Sequence, residues 1–127
     1  MSKLIKLIRN GCLTLGLGFA LAFGGAGAAS ADFINGQQLR LYCTSQDPND
    51  EAVCFVYIAG AVDAFTTVDL MAAKTHGTKR QFCLPDGVSP DDLKDVVLKW
   101  LQREEANLDL AATLLVMGAI KNGYACS

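Results

Sequence analysis

The residues with the richest chemistry in this chain of 127 residues are four cysteines, Cys43, Cys54, Cys83 and Cys126. The intervals between them hold 10, 28 and 42 residues, so no pair has the Cys-x-x-Cys spacing. Cysteine-based zinc sites normally use such close pairs together with histidines, and His76 is the lone histidine of the chain. The pattern predicts two disulfide bonds, as an even cysteine count does in a short exported domain. It predicts no metal site and no other cofactor.

Nucleophilic catalysis would need His76 as a general base beside a serine or cysteine. Ser45 and Ser89 are the serine candidates, and the sulfurs of a disulfide are not nucleophilic thiolates. His76 lies in a basic, glycine-containing segment, where a histidine is ordinarily exposed to solvent. The adjacent acids Asp91 and Asp92 are explained by the start of a helix. We therefore predict that the protein is not an enzyme and has no catalytic residue.

Four cysteines allow three pairings, and connectivity cannot be deduced from their positions alone. We favour Cys43–Cys54 with Cys83–Cys126. The first bond would join two neighbouring helices across one turn, and the second would fasten a central loop to the carboxyl-terminal tail. Loop-closure entropy predicts stabilisation of about 3 and about 4 kcal/mol for these two bonds.

The amino-terminal 31 residues have the organisation of a secretory signal peptide. Three basic residues precede an apolar run at residues 12–23, and Ala29-Ser30-Ala31 follows as a small-x-small cleavage pattern. Cleavage after Ala31 is predicted to leave one domain, residues 32–127, in the periplasm. The fifth cysteine, Cys12, would be removed with the signal peptide.

The predicted mature chain has eight basic and thirteen acidic residues, a formal net charge of −5. Nucleic acids and anionic lipid surfaces are bound through basic patches. The charge therefore argues against nucleic acid and against a membrane as partners of the mature protein.

Apolar residues in the mature part recur with helical rather than strand periodicity, which predicts an all-α bundle of about four helices. A first helix is expected from about Asn35. Ser89 is a predicted N-cap with Pro90 at the first helical position. Asn107 is predicted to cap the last helix, and Asn122-Gly123 to end it with a left-handed cap. The expected apolar face of this last helix contains Leu110, Leu114, Met117 and Ile120, and it is widened by Ala111, Val116 and Ala119.

The longest predicted helix, at residues 51–73, is almost entirely apolar. Between Ala52 and Ala73 its polar residues are Asp63, Thr66, Thr67 and Asp69. A helix that is apolar on all sides is expected at the centre of a bundle. Gly60 is then predicted to let another helix approach closely, with Gly118 as its partner. Asp63 is expected to reach solvent or a hydrogen-bond donor, with Thr67 the local candidate.

The segment after the long helix, residues 74–81, is the one basic cluster in the acidic chain that is predicted to remain after cleavage. We call it the basic segment. Flexible segments on a rigid scaffold commonly carry recognition, so we predict a partner-binding role for its charged residues, Lys74, His76, Lys79 and Arg80.

The ordered landmarks resemble the Rap/Tai family of type VI secretion immunity proteins. They begin with Cys43 and continue as Cys54-x-x-Tyr57-Ile58-x-Gly60-x-x-Asp63-Ala64. Then follow Cys83-Leu84-Pro85, Gly87-Val88-Ser89 before a helix, and the final Tyr124-Ala125-Cys126, where the family pattern has aromatic-Pro-Cys. The resemblance assigns a structural role to Tyr57, Gly60, Asp63 and Pro85.

The resemblance implies a periplasmic, mostly helical protein, often a homodimer, that binds a toxin injected by neighbouring bacteria. Such toxins include peptidoglycan amidases, whose active-site groove the immunity protein blocks. The alternative is a general periplasmic structural or chaperone-like protein that holds unfolded clients. Such helical chaperones typically have fewer cysteines, and one histidine gives this chain little capacity to sense pH.

Overall fold

Four α-helices make up the described part of the chain, residues 33–127 of a computed structural model. They are α1 (Gly36–Thr44), α2 (Pro48–His76), α3 (Pro90–Leu101) and α4 (Ala112–Gly123). This confirms the all-α prediction, and within residues 33–127 the one β-type pairing is an isolated antiparallel bridge between Asn35 and Ala111. The predicted signal peptide lies outside the described residues.

The starts of three helices follow from short-range hydrogen bonds to backbone N–H groups that have no partner within the helix. Asn35 and Ser89 each form a capping box with the residue three positions later, at the starts of α1 and α3. Asp47 caps α2, with Pro48 at the first helical position. The predicted cap at Ser89 and the predicted start of the first helix near Asn35 are therefore confirmed.

Both favoured disulfides are present, Cys43–Cys54 and Cys83–Cys126. The first joins the end of α1 to the second turn of α2. The second joins the loop before α3 to the tail after α4, where the Cys83 N–H also donates to the Tyr124 carbonyl oxygen at 2.8 Å. Each bond therefore fastens segments that the fold brings together.

The core lies where the four helices meet. Its apolar side chains come from every helix, and the largest that are fully buried are Leu39, Ile58, Val97, Leu101, Val116 and Ile120. Gly36 lies at a close approach to this core: a Cβ there would contact Leu115 Cδ1 and lie 3.0 Å from the Leu108 carbonyl oxygen. Glycine at this first helical position therefore lets α1 pack against the segment before α4.

The prediction that α2 lies at the centre of the bundle is wrong. Its buried residues are Cys54, Ile58, Val62 and Asp69, all on one side of the helix. Within residues 33–127, α2 is the one helix that is long and apolar enough to cross a membrane. Only 22% of its most apolar window is buried by the rest of the protein. Three shorter helices cover one side of a 29-residue helix and leave the other exposed.

The predicted contact between Gly60 and Gly118 is also wrong. No atom lies within 4 Å of a Cβ built on Gly60, because this glycine is on the exposed side of α2. Gly118 instead packs against the ring of Trp100 on α3, whose Cζ2 would be 3.2 Å from an added Cβ. The group that approaches α4 closely at Gly118 is therefore the Trp100 indole ring and not the backbone of α2.

Helix α4 begins later than predicted. Asn107 caps only a turn, since its side chain accepts from the Asp109 N–H at 3.1 Å. The following residues hydrogen-bond to the segment before α1: the Gly36 N–H donates to the Leu110 carbonyl and the Ala112 N–H to the Ile34 carbonyl, both at 3.0 Å. These long-range bonds hold residues 108–111 out of the helix.

The shift changes which residues of α4 face the core. Leu110 and Leu114 are 43% and 51% exposed, whereas Leu115, Val116 and Ala119 are buried together with Ile120. The predicted apolar face is therefore wrong at Leu110 and Leu114, and it is correct at Ala111, Val116, Ala119 and Ile120. The predicted left-handed cap at Gly123 is wrong too, because the positive-φ glycines of the described residues are Gly77 and Gly87.

Candidate partner-binding surface

The basic segment spans the end of α2 and the loop after it. Lys74 and His76 occupy the last turn of α2, where cations are favoured by the helix dipole. Gly77 ends the helix with φ +64°, and its N–H donates to the Ala73 carbonyl oxygen. Lys79 is exposed in the loop that follows. Three of the four predicted binding residues are therefore exposed to solvent.

Arg80 is held differently. Its Nε donates to Oδ2 of Asp69 at 2.6 Å, so the guanidinium folds back onto α2. The next backbone N–H, that of Gln81, donates to Oδ1 of the same carboxylate at 3.0 Å. Arg80 is thus part of the structure that fixes the basic segment, a role that the sequence analysis did not assign.

Asp69 is the one buried charged side chain of the described residues, with 4% of its surface exposed. The hydrogen bond from Arg80 holds the pKa of Asp69 below its usual value, although burial acts in the opposite direction. The sequence alone carries no signal that separates Asp69 from Asp63, because the long helix is apolar on all sides. Asp69 lies eleven residues after Ile58 and seven after Val62, so it shares the buried side of α2 with them.

A pocket of about 300 Å³ opens beside this ion pair. Its apolar wall is formed by Phe65 and Val68 of α2, Met117 of α4 and the buried Phe82. Its polar residues are Asp69, Gln81 and Lys121. The size is at the lower end of the range for ligand pockets and suits one large side chain of a partner.

The pocket and the basic segment are contiguous, because Gln81 belongs to both. The positive charge of Lys121 also contributes to lowering the pKa of Asp69. The carboxylate of Asp69 already pairs with Arg80, so it does not fully neutralise the positive charge of Lys121. The surface combines an apolar recess with surrounding cations, the arrangement of an anchor pocket in a protein interface.

A wider groove of about 460 Å³ lies elsewhere, between the turn at Pro85 and one side of α3. It is lined by acids, Asp86, Asp92 and Asp95, with Lys99 and Tyr124. Asp92 is committed to the capping box of α3, and its hydrogen bonds with Ser89 lower its pKa. Three acids outnumber the one lysine in this groove, which does not include any predicted binding residue.

The residues assigned a structural role lie at separate places. Tyr57 packs against the core from α2. Asp63 is exposed on α2 and reaches solvent. Pro85 begins a turn in which its carbonyl oxygen accepts from the Val88 N–H at 3.4 Å, with Gly87 at φ +79°. The centre of this turn is Asp86-Gly87, a dipeptide that commonly forms turns.

Residues 33–127 contain no group of three or more histidine, cysteine or acidic side chains arranged to hold a metal ion. His76 is exposed at the end of α2, and all four cysteines of this region are in disulfides.

Comparison with known proteins gives one family. No curated protein and no solved structure matches the chain. The family model described as Rap1a immunity proteins matches residues 35–126, which include all four helices and both disulfides. The chain therefore belongs to the family of Rap1a immunity proteins.

Proposed function

We propose that this protein is a periplasmic immunity protein that binds and inhibits a cell-wall-degrading effector of a type VI secretion system, of the peptidoglycan amidase class. The observation that carries the proposal is the family match over residues 35–126. Two disulfides in a small domain agree with an exported protein, since such bonds persist in oxidising compartments. The protein acts by occupying the effector and contributes no catalytic group.

The effector-binding surface that we favour is the basic segment together with the adjoining pocket. A partner would place an apolar side chain between Val68 and Met117, and an acidic group beside Lys79 or Lys121. Apolar anchors in partly enclosed pockets supply much of the affinity at protein interfaces, whereas surrounding charges speed association and select the partner.

The first experiment identifies the partner. The tagged, oxidised protein is used for capture from a strain in which the neighbouring genes are intact, and the captured protein is then purified and assayed on peptidoglycan. A single stoichiometric amidase, inhibited on addition of this protein, is the expected result. A mixture of unfolded clients without an inhibited hydrolase would contradict the proposal and support the chaperone-like alternative.

Two exposed lysines provide a matched test of the charged part of the surface. Lys79→Glu is expected to weaken effector binding by about tenfold, because it reverses a charge at the contact. Lys99→Glu makes the same change on α3, in the acidic groove, and should leave affinity unchanged. Equal effects of the two substitutions on the dissociation constant would exclude the basic segment as the contact.

Two apolar residues of α4 test the pocket in the same way. Met117 lines the pocket, and Leu114 is 51% exposed outside it. Met117→Gln is expected to raise the dissociation constant of the effector complex, since it places a polar amide where an apolar anchor would pack. Leu114→Gln is the control, and a larger effect of this control would exclude the pocket.

The proposal includes self-association into a homodimer, as the family resemblance implies. The exposed apolar residues of α2 support this part of the proposal, because a contiguous apolar surface of this kind commonly marks an interaction site.

A further inference from the structure

The disulfide Cys83–Cys126 connects two walls of the pocket that belongs to the effector-binding surface. Cys83 directly follows two residues that line this pocket, Gln81 and Phe82. Cys126 lies in the tail after α4, the helix that contributes another wall through Met117. The bond therefore ties the loop that forms one side of the pocket to the helix that forms another.

Phe82 is held in the pocket wall by an anchor on each side. Before it, the Gln81 N–H donates to Oδ1 of Asp69 at 3.0 Å. After it, the Cys83 N–H donates to the Tyr124 carbonyl oxygen at 2.8 Å, and the Cys83 sulfur is bonded to the tail. The Phe82 side chain is only 2% exposed between these anchors. Its position therefore depends on both of them.

The loop that contains Phe82 is easier to open than the helices around it. Residues 78–85 belong to no helix, so they are not held by a regular series of backbone hydrogen bonds. Segments of this kind open locally at a lower free energy than the elements of the core. Loss of one of the two anchors is therefore expected to release the loop before it unfolds the bundle.

The two disulfides differ in whether another thiol can reach them. Cys83 is exposed and Cys126 is half-buried, whereas Cys43 and Cys54 are 5% and 0% exposed. Exchange requires an attacking thiolate to reach one of the two sulfurs. In the folded protein a thiol can therefore attack the Cys83–Cys126 bond, while the Cys43–Cys54 bond is covered.

We propose that Cys83–Cys126 is a redox-sensitive control of the effector-binding surface: the oxidised bond holds the pocket in its binding conformation, and its reduction by a dithiol protein releases residues 78–85 and weakens effector binding. This inference rests on the proposed function and adds regulation of the same surface. Reduction lowers the population of the binding conformation, and the apparent affinity falls by the same factor.

The reaction is a thiol–disulfide exchange in two steps. A thiolate of the dithiol protein forms a bond with the Cys83 sulfur, the Cys83–Cys126 bond breaks, and Cys126 leaves as a thiolate that takes up a proton. The second thiol of the reductant loses its proton and displaces Cys83 from the mixed disulfide, and Cys83 is then protonated. This protein gains two electrons and two protons, and the dithiol protein is oxidised to a disulfide.

The helices are expected to remain assembled after this reduction. The core side chains come from all four helices, and the buried Cys43–Cys54 bond continues to join α1 to α2. The change is therefore expected to be confined to the loop after α2 and to the tail after α4.

The first test measures hydrogen exchange of backbone amides by NMR and needs no effector. In the variant Cys83→Ser/Cys126→Ser, the amide of residue 83 is expected to exchange at least about tenfold faster than in the oxidised protein, because the loop opens more often. The amides of Ile58 and Val97, in the cores of α2 and α3, are expected to stay protected. Cys43→Ser/Cys54→Ser is the matched control and should leave exchange at residue 83 unchanged.

The same measurement shows whether the change is reversible in the unmodified sequence. Dithiothreitol is the dithiol probe, added until only Cys83–Cys126 is reduced, and oxidised glutathione then re-forms the bond. Fast exchange at residue 83 after reduction and slow exchange after re-oxidation are expected. Unchanged exchange at residue 83, or equal loss of protection at Ile58 and Val97, would overturn the proposal.

The second test compares the affinity of the oxidised and the selectively reduced protein for the amidase obtained by capture. The dissociation constant is expected to rise at least about tenfold on reduction. An opened loop with unchanged affinity would overturn the control of binding, whereas the immunity role would stand because the amidase is bound. Capture of no amidase would contradict the proposed function, and the amide-exchange result does not depend on it.

Discussion

Asp69 and Arg80 form an ion pair across the end of α2, with 2.6 Å between Oδ2 and Nε. The carboxylate side chain is 5% exposed and the arginine side chain 33% exposed. The pair closes the loop after α2 onto the helix, and the Gln81 N–H reinforces it. It therefore fixes the position of the basic segment relative to the adjoining pocket.

Removal of the arginine is expected to destabilise the fold. Arg80→Ala leaves a buried carboxylate without its charged partner, and we expect the free energy of unfolding to fall by about 2 kcal/mol. Urea denaturation of the oxidised protein measures this. Lys79→Ala, one residue earlier and exposed, is the control and should change stability by less than about 0.5 kcal/mol. A loss no larger than that of the control would mean that the pair contributes nothing.

The same pair predicts a loss of stability in acid. The pKa of Asp69 is lower in the folded protein than its ordinary value of about 4. The unfolded chain therefore takes up the proton first, so the stabilisation is complete above about pH 4 and is lost as the pH falls through the folded pKa. Asp69→Asn should flatten the dependence of unfolding free energy on pH in this range. If the variant lost as much unfolding free energy in acid as the unmodified protein does, other carboxyl groups would be responsible for the loss.

The two disulfides are expected to differ in accessibility and in contribution. Cys83 is exposed, whereas Cys43 and Cys54 are buried. Limited reductant should therefore open Cys83–Cys126 first, because thiol exchange requires access to a sulfur. Alkylation followed by peptide mapping identifies the reduced pair, and early labelling of Cys54 would refute the prediction.

Replacement of each cysteine pair by alanine tests their contributions. The cost is expected to be about 4 kcal/mol for Cys83–Cys126 and about 3 kcal/mol for Cys43–Cys54, since the first bond closes the longer loop. Denaturant midpoints of the two double variants give the order. If loss of Cys43–Cys54 cost more, interactions in the folded state would outweigh the difference in loop-closure entropy.

Two glycines should respond in opposite directions to the same substitution. Gly36→Ala is expected to cost about 1–3 kcal/mol, because its Cβ would collide with the Leu115 side chain and the backbone at Leu108. Gly60→Ala is expected to gain about 0.5–1 kcal/mol, because the site is open and alanine is the better helix former. Thermal unfolding of dilute protein compares them. A gain at Gly36 or a loss at Gly60 would contradict the packing described.

Local features of the sequence account for much of the fold. The capping boxes at Asn35 and Ser89 depend on groups within three residues, so the starts of α1 and α3 are predictable from residue order alone. The disulfide pairing was one of three possibilities, and the short loop between Cys43 and Cys54 favoured the correct one. The basic segment was also evident, because its four charges are neighbours in the chain.

Residue order did not identify the role of Arg80 or the start of α4. Asp63 and Asp69 are both acids in an apolar helix, and only the packing of the loop against α2 distinguishes the exposed one from the buried one. The segment before α4 has helix-start chemistry at Asn107, yet hydrogen bonds to residues 34–37 hold it as a turn. In both cases the partner is distant in the chain.

The sequence by itself determined an all-α domain, the cap at Ser89 and a basic cluster after the longest helix, because these depend on periodicity and on neighbouring residues. Tertiary structure decided which side of α2 is buried, which acid pairs with Arg80, and where the pocket lies. The reason is geometric: a helix apolar on all sides has no preferred core face in its sequence, and the face is chosen only when three shorter helices pack against it.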